Sequence, residues 1–395
     1  MRLRTQGSVY LALGLLAFLA GCANANNNGT VSGTGLMWVA TQGDQKITSY
    51  NINLADGSVS KVGDAVSTGN NPIAMAVTPD RTTLFVANKD DNSVSAYAVN
   101  SDGTLGSQAN ATPTGDLPVA LAVDPSGKFL FVANQGTLAD KTSGTVSVFS
   151  IQGTALTEVN GSPFPTELPS DVTGTGPSAL AVSPGGNFLY VANQFASTVS
   201  IFAYDQNGGL TQNAGPPVAT HANPSALAFS RCAGVSTGTD VCPTNDGNNL
   251  FVADSGLNEI TVFSACIQST STCATPNGAL AELTTSPTGA GNGPVAFIIH
   301  PVRNFVYAID NKSNQISQFK YSPITGALTP LSPAAASTSQ NPLAGGITSD
   351  GNWAFVPNNG GSTLSAFSIG AGGKFNQATT ASINVSGQPS VVVVR

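Results

Sequence analysis

The chain has 395 residues, and only 9% of them are charged, against about 25% in an average globular protein. A hydrophobic share of 41% supplies a core and argues against disorder. The balance is acidic, with 14 basic and 21 acidic residues. No basic stripe is present to displace phosphate counterions, so nucleic acid is not an expected partner.

Residues 1–21 read as a targeting segment. Arg2 and Arg4 form a positive start, and residues 9–20 are apolar over a signal-peptide length. That stretch is too short for a spanning helix, which needs about 20 residues. It closes in Leu19-Ala20-Gly21-Cys22, which resembles a bacterial lipobox. The resemblance implies cleavage before Cys22, lipidation of that residue and a membrane anchor. Ala23 after the cysteine implies sorting to the outer membrane. Residues 22–35, rich in Asn and Gly, read as a lipidated, flexible tether.

From residue 36 to residue 395 one phrase recurs. It reads PVALAVDPSGKFLFVANQ at residues 118–135 and PSALAVSPGGNFLYVANQ at residues 177–194. Weaker copies start at Pro72, Pro224, Pro294 and Pro342, with a stub at Pro389. Such self-similarity marks a repeat architecture and overrides a domain count based on length. Each unit holds short β-branched or aromatic runs separated by Pro-Gly-type turns. In the unit from Pro177 the predicted strands are residues 178–183, 188–193 and 198–204, with a weaker fourth near residues 209–212. No sustained 3.6-residue apolar period follows the leader. Four strands per unit make a propeller blade.

Six units are complete. Residues 36–71 carry later strands without a first one, and residues 389–395 are a first strand with nothing after it. Together they make a seventh blade. The predicted fold is therefore an all-β, seven-bladed β-propeller with four-stranded blades, closed by strands from both ends of the chain. In the usual propeller path, one face (the top) carries the loops entering first strands and those following second strands. The unit from Pro118 has insertions at residues 136–144 and 161–176, on the top. The unit from Pro224 has them at residues 231–248 and near residues 266–277, on the bottom.

Cys232, Cys242, Cys266 and Cys273 all fall in those bottom insertions. An even count in an exported chain reads as disulfides. Pairing of neighbours, Cys232–Cys242 and Cys266–Cys273, is the simplest of three connectivities, and cross-pairing remains open. The spacings lack the C-x₂₋₄-C pair of a zinc site. Asp90-Asp91-Asn92 lacks the spacing of a calcium loop. Neither a metal nor a cofactor is expected.

The repeats resemble the seven-bladed lactonase family, which includes 6-phosphogluconolactonases, and the broader YVTN-type propellers. The best blade is GNGPVAFIIHPVRNFVYAIDN, residues 291–311. Family members commonly show Gly-Pro-Arg-His, then His-Pro, then Tyr-Val-x-Asn-Glu. Gly293, Pro294, His300, Pro301 and Tyr307 match. Val295 and Ala296 stand at the Arg and His positions, and Asn311 at the Glu position, so the groups implied for lactone binding and acid/base work are replaced.

The expected top face is rich in amides. Asn88, Asn134, Asn193, Asp254, Asp310 and Asn358 end second strands. Each reads singly as a turn cap; as a ring they are candidate ligand groups, with Gln135, Gln194 and Asn311 beside them. His221 is the histidine expected on this face and a weak catalytic candidate, lacking a visible partner. His300 reads as a turn residue on the other face. Phe164, Leu168 and Phe195 are candidate partner contacts or loop packing. The mature arginines, Arg81, Arg231, Arg303 and Arg395, follow first strands and belong to the bottom. The function expected is a lipid-anchored envelope module that binds a protein or glycan through its top face without catalysis. The alternative is a hydrolase of sugar or related lactones.

Overall fold

The computed structural model describes residues 33–109, 111–137, 144–166, 175–213, 216–231, 248–269, 273–323 and 325–395, apart from the side chains of residues 378–381. Among them are seven antiparallel sheets and no α-helix; one turn of 3₁₀ helix covers Asn359–Gly361. Blades 1 to 7 start with inner strands Pro72–Val77, Pro118–Val123, Pro177–Val182, Pro224–Phe229, Pro294–Ile299, Gly346–Ile347 and Pro389–Val394. These strands contact one another around a closed ring. In blade 3 the second and third strands are Phe188–Asn193 and Thr198–Tyr204, and the outer edge is split into Leu210–Gln212 and Val218–Ala219.

Blade 7 is built from both ends of the described chain, as the sequence predicts. Pro389–Val394 pairs with Thr34–Thr41, placing Met37 opposite Val394 and Ala40 opposite Val391. Lys46–Asn53 and Val59–Ser67 complete the sheet. Closure leaves no inner edge free for pairing with another chain.

The six second strands of blades 1 to 6 read as nearly continuous apolar runs because each is covered on both faces by neighbouring blades. Phe129–Asn134 (FLFVAN) is buried throughout. One column along these strands is aromatic in every blade: Phe85, Phe131, Tyr190, Phe251, Tyr307, Phe355 and Trp38, all fully buried. Seven apolar clusters fill the seven boundaries between blades. Blades 7 and 1, for example, share Trp38, Ile47, Met75, Leu84, Val86 and Tyr97.

Blade 6 departs from the repeat. The phrase begins at Pro342, but only Gly346–Ile347 pair as a regular strand. Pro357 in the second strand has no N–H to give the ladder. A side chain on Gly345 would also lie 2.3 Å from Ile298.

Candidate functional site

The top face is shaped by one backbone device used seven times. The residue before each inner-strand proline is left-handed: Asn71, Leu117, Gly176, Asn223, Gly293, Asn341 and Gln388 have φ between 50° and 66°. Its carbonyl accepts the N–H of the first residue after the second strand. Examples are Lys89 to Asn71 (3.0 Å), Gln135 to Leu117 (2.9 Å), Gln194 to Gly176 (2.8 Å) and Asn311 to Gly293 (2.9 Å). The clamp fixes both top loops of a blade against each other. It presents Gln42, Lys89, Gln135, Gln194, Ser255, Asn311 and Asn359 at matching positions, each half-buried.

These side chains link neighbouring blades. Asn359 donates to Gln42 Oε1 (2.9 Å), and Gln42 donates to Asn71 Oδ1 (2.7 Å). Asn311 donates to Asn341 Oδ1 (2.5 Å) and to the Pro342 carbonyl (3.0 Å). Lys89 Nζ donates to Gln135 Oε1 (3.2 Å). Inner-strand serines add further stitches: Ser178 donates to the Pro224 carbonyl and Ser225 to that of Pro294, both at 2.5 Å, and Ser390 to that of Pro72 at 2.6 Å. The result is a rim of amides and hydroxyls that includes the Lys89 ammonium, with Lys312 packed beside it against Gly293.

The six residues that end second strands are not part of the exposed rim. Asn88, Asn134, Asn193, Asp254, Asp310 and Asn358 are each 0% exposed. Their partners are hydroxyls of the adjoining third strand. Asn88 donates to Ser95 (2.8 Å), Asn134 to Ser147 (3.0 Å) and Asn193 to Ser200 (2.8 Å). Asp254 accepts from Thr261 (2.6 Å) and Asp310 from Ser317 (2.7 Å), while the Asn358 amide lies 2.9 Å from Ser365 Oγ. The reading of these six as ligand groups is therefore corrected: they hold the third strand and top loops in place. The signal for this in the sequence is the Ser or Thr that recurs inside every third strand. Burial raises the pKa of both carboxyls, that of Asp310 to about 6.

His221 is better connected than its sequence context suggests. It lies in the segment entering blade 4, with Nδ1 2.6 Å from Glu259 Oε1 and Nε2 3.2 Å from Glu282 Oε1. Glu259 opens the third strand of that blade, Glu259–Ala265, and Glu282 ends its outer strand, Leu280–Glu282. Partial burial disfavours the charged ring, but the Glu259 hydrogen bond and the Glu259, Glu282 and Asp254 carboxylates outweigh it and raise its pKa. The expectation of a histidine without a partner is corrected. With a carboxylate on each ring nitrogen, the arrangement favours an ion-paired imidazolium, and the ring could act as a base only with Nε2 released from Glu282.

The aromatic candidates separate. Phe164 packs onto the core shared by blades 2 and 3, whereas Phe195 remains 38% exposed and lies over Gly176. Leu257, not singled out from the sequence, is 55% exposed in the corresponding loop of blade 4. The loops carrying Phe195, His221 and Leu257 are tied together: Thr220 N–H donates to the Ser197 carbonyl (2.9 Å) and Gly256 N–H to that of Ala222 (3.2 Å). Leu168 lies outside the described residues, as do Cys22, Cys232 and Cys242. Cys266 and Cys273 form a disulfide.

His300 is a fully buried turn residue, with burial lowering its pKa to about 4. Among the described residues, no group of three or more His, Cys, Asp or Glu side chains is arranged to hold a metal ion. At the positions of the family's Arg and His, Val295 and Ala296 pack against the core between blades 5 and 6.

The sequence profile of "Lactonase, 7-bladed beta-propeller" matches residues 36–161, 138–234 and 237–389. No curated protein matches the chain. Among solved structures, the periplasmic gluconolactonase PpgL of Pseudomonas aeruginosa superposes with a TM-score of 0.74 at 21% identity, over 92% of this chain and 99% of that one. A protein of Bacteroides fragilis designated a candidate 6-phosphogluconolactonase gives 0.73 at 20%, over 93% and 99%. Apo AztD of Citrobacter koseri gives 0.56 at 13%, over 92% and 98%. At these identities the likeness is one of fold, whereas the profile spans nearly every blade. The chain belongs to the seven-bladed β-propeller lactonase family.

Proposed function

We propose that this protein is a lipid-anchored, non-catalytic binding module of the bacterial cell envelope, probing a glycan or protein with its top face. The observation that carries the reading is the replacement at blade 5. Val295 and Ala296 are half-buried apolar side chains packed against the core between blades 5 and 6, and the Asn311 amide is engaged with Asn341 and Pro342. A rim of amides and hydroxyls matches an uncharged polar ligand, whereas an anionic sugar lactone calls for a guanidinium fork and a base facing it. Exposed Phe195 and Leu257 supply apolar contact beside that rim.

The test pairs a glycan array with a panel of sugar and acyl lactones. Saturable glycan or protein binding weakened by Gln135→Ala, Gln194→Ala or Phe195→Ser, with no lactone turnover, is the expected result. The second reading, lactone hydrolysis, rests on His221 held 2.6 Å from Glu259. Turnover abolished by His221→Ala would establish it in place of the first. The anchor is tested by fatty-acid labelling: Cys22→Ser is expected to lose the label and leave the membrane fraction.

A further inference from the structure

His221 joins parts of the top face that the backbone leaves apart. Residues 220–223 enter blade 4 between two loops. On one side the Thr220 N–H donates to the Ser197 carbonyl (2.9 Å) and the Asn223 N–H to Ser197 Oγ (3.3 Å). On the other side the Gly256 N–H donates to the Ala222 carbonyl (3.2 Å), and Ser255 Oγ donates to that of Asn223 (2.9 Å). These loops carry Phe195 and Leu257, the large apolar side chains exposed among the described residues. The outer strand of blade 4, Leu280–Glu282, is tied to residues 220–223 through the His221 ring. Among the described residues no other hydrogen bond makes that link.

A neutral imidazole has one N–H and one lone pair. Nδ1 faces Glu259 Oε1 at 2.6 Å and Nε2 faces Glu282 Oε1 at 3.2 Å. Both contacts are hydrogen bonds only when both nitrogens carry protons. Loss of one proton sets a lone pair against a carboxylate oxygen. Glu259 is the closer partner, and its side chain is 17% exposed against 38% for Glu282. The neutral ring therefore keeps Glu259 and releases Glu282 to water. The charged groups acting on the ring come from three strands of blade 4: Asp254 ends the second, Glu259 opens the third and Glu282 ends the outer one. No lysine or arginine among the described residues opposes them. Partial burial works against the charged ring, but the Glu259 hydrogen bond and the three carboxyl groups outweigh it.

We propose that His221 is a proton-operated clasp. Protonated, it ties residues 220–223 to the outer strand of blade 4; deprotonated, it lets go of Glu282 and loosens the segment between the Phe195 and Leu257 loops. A ring whose pKa is raised in the folded state holds its proton more tightly there than in the unfolded chain. The clasp is therefore closed below the usual value of 6.5 and opens as pH rises through the raised one. The effect is local, because ion pairs this exposed contribute little to global stability. The clasp is a property of the folded ring and does not depend on the function proposed above.

The experiment uses the full chain with isotope-labelled histidine rings, read by nuclear magnetic resonance. The chain has two histidines, and His221→Gln assigns their signals. The His221 ring is expected to titrate above 6.5. Glu282→Gln, which keeps Glu259 in place, is expected to lower that midpoint by about half a pH unit or more. Amide hydrogen exchange at Thr220 is then measured on either side of the midpoint and corrected for the intrinsic pH dependence of exchange. Protection in the parent is expected to fall about threefold or more as the clasp opens. In His221→Gln it should stay constant, since glutamine does not titrate. Asp310, with a pKa of about 6, is intact in that variant, so a fall of the same size there would assign the effect elsewhere and overturn the proposal. A His221 midpoint at or below 6.5, a midpoint unmoved by Glu282→Gln, or constant Thr220 protection in the parent would each overturn it as well.

Discussion

The Tyr307 hydroxyl of blade 5 donates to the carbonyl of Gly373 in blade 6, 2.7 Å away and fully buried. Two other polar members of the aromatic column do the same one blade onward: Tyr190 reaches Gly278 at 2.8 Å and Trp38 reaches Gly103 at 2.9 Å. All three glycines are left-handed, with φ of 78°, 75° and 85°. Each boundary with a Tyr or Trp thus gains a polar pin through its apolar core. Tyr307→Phe should remove the pin and keep the ring, since Phe occupies the column in four sister blades. A loss of about 1 kcal/mol is expected. Gly373→Ala should do more harm, because its Cβ would lie 2.5 Å from the Phe305 ring at a positive φ, with about 2–4 kcal/mol lost. Urea unfolding midpoints of the two variants check the order; equal effects would contradict it.

The blades were legible because their signal is local: a proline, a short strand, a turn and a second strand repeat within about 20 residues. Closure was legible because the two partial units were complementary. The fate of the strand-ending amides was only half legible: the Ser or Thr recurring in each third strand is the signal, but Asn88 and Ser95 meet only once the strand pair has formed. The same sequence fits a cap or a ligand group until burial decides. His221 shows the limit more clearly. Its carboxylate partners lie 38 and 61 residues away, and their meeting depends on how the segment entering blade 4 settles on its outer strands. No local pattern encodes that.

Asp310 gives the fold a pH dependence with a definite sign. Burial raises its pKa from 3.8 to about 6, so the native state holds this proton more tightly than the unfolded chain. Its contribution is fully present below about pH 4 and is lost as pH rises through about 6. The span corresponds to at most about 3 kcal/mol. Asp310→Asn should flatten this part of the stability profile and stabilise the protein at pH 8, because Asn fills the same position in blades 1, 2, 3 and 6. Chemical denaturation at pH 4.5 and pH 8 provides the comparison. A variant whose pH profile matches the parent would rule out Asp310 as the source.

Leu117 is the least suited residue in the sevenfold top clamp. Its φ of 54° is shared with Asn or Gly in five other blades, and Leu pays a steric penalty there that Asn largely escapes. Leu117→Asn is expected to stabilise by about 1 kcal/mol. The backbone hydrogen bond from Gln135 to residue 117 should remain, visible as unchanged amide exchange protection at Gln135. A destabilised variant would show that Leu117 packing outweighs the backbone term.

The Cys266–Cys273 disulfide closes a short loop at the bottom of blade 4. Loops of this size restrict the unfolded chain by an amount equivalent to about 2 kcal/mol. Replacing both cysteines with serine should lower stability by about that much while leaving blades 3 and 5 unaltered, as read by denaturation and by near-ultraviolet circular dichroism. A collapse of the whole ring on this substitution would mean that the bridge does more than restrain its own hairpin.

Ring closure is the largest single dependence of the fold. Residues 390–395 supply the inner strand of blade 7, with Ser390, Val391 and Val392 buried and Val393 and Val394 packed on the clusters to either side. Burying a valine side chain is worth about 1.5–3 kcal/mol, and a whole domain is stable by only about 5–15 kcal/mol. Removing the strand forfeits several such side chains at once and leaves Thr34–Thr41 with an unpaired inner edge. Truncation after Pro389 should therefore abolish cooperative unfolding or drive aggregation, whereas Val393→Ala alone should cost about 1–2 kcal/mol. The two are compared by scanning calorimetry. A truncated protein that melts like the parent would mean the six remaining blades hold the ring closed without it.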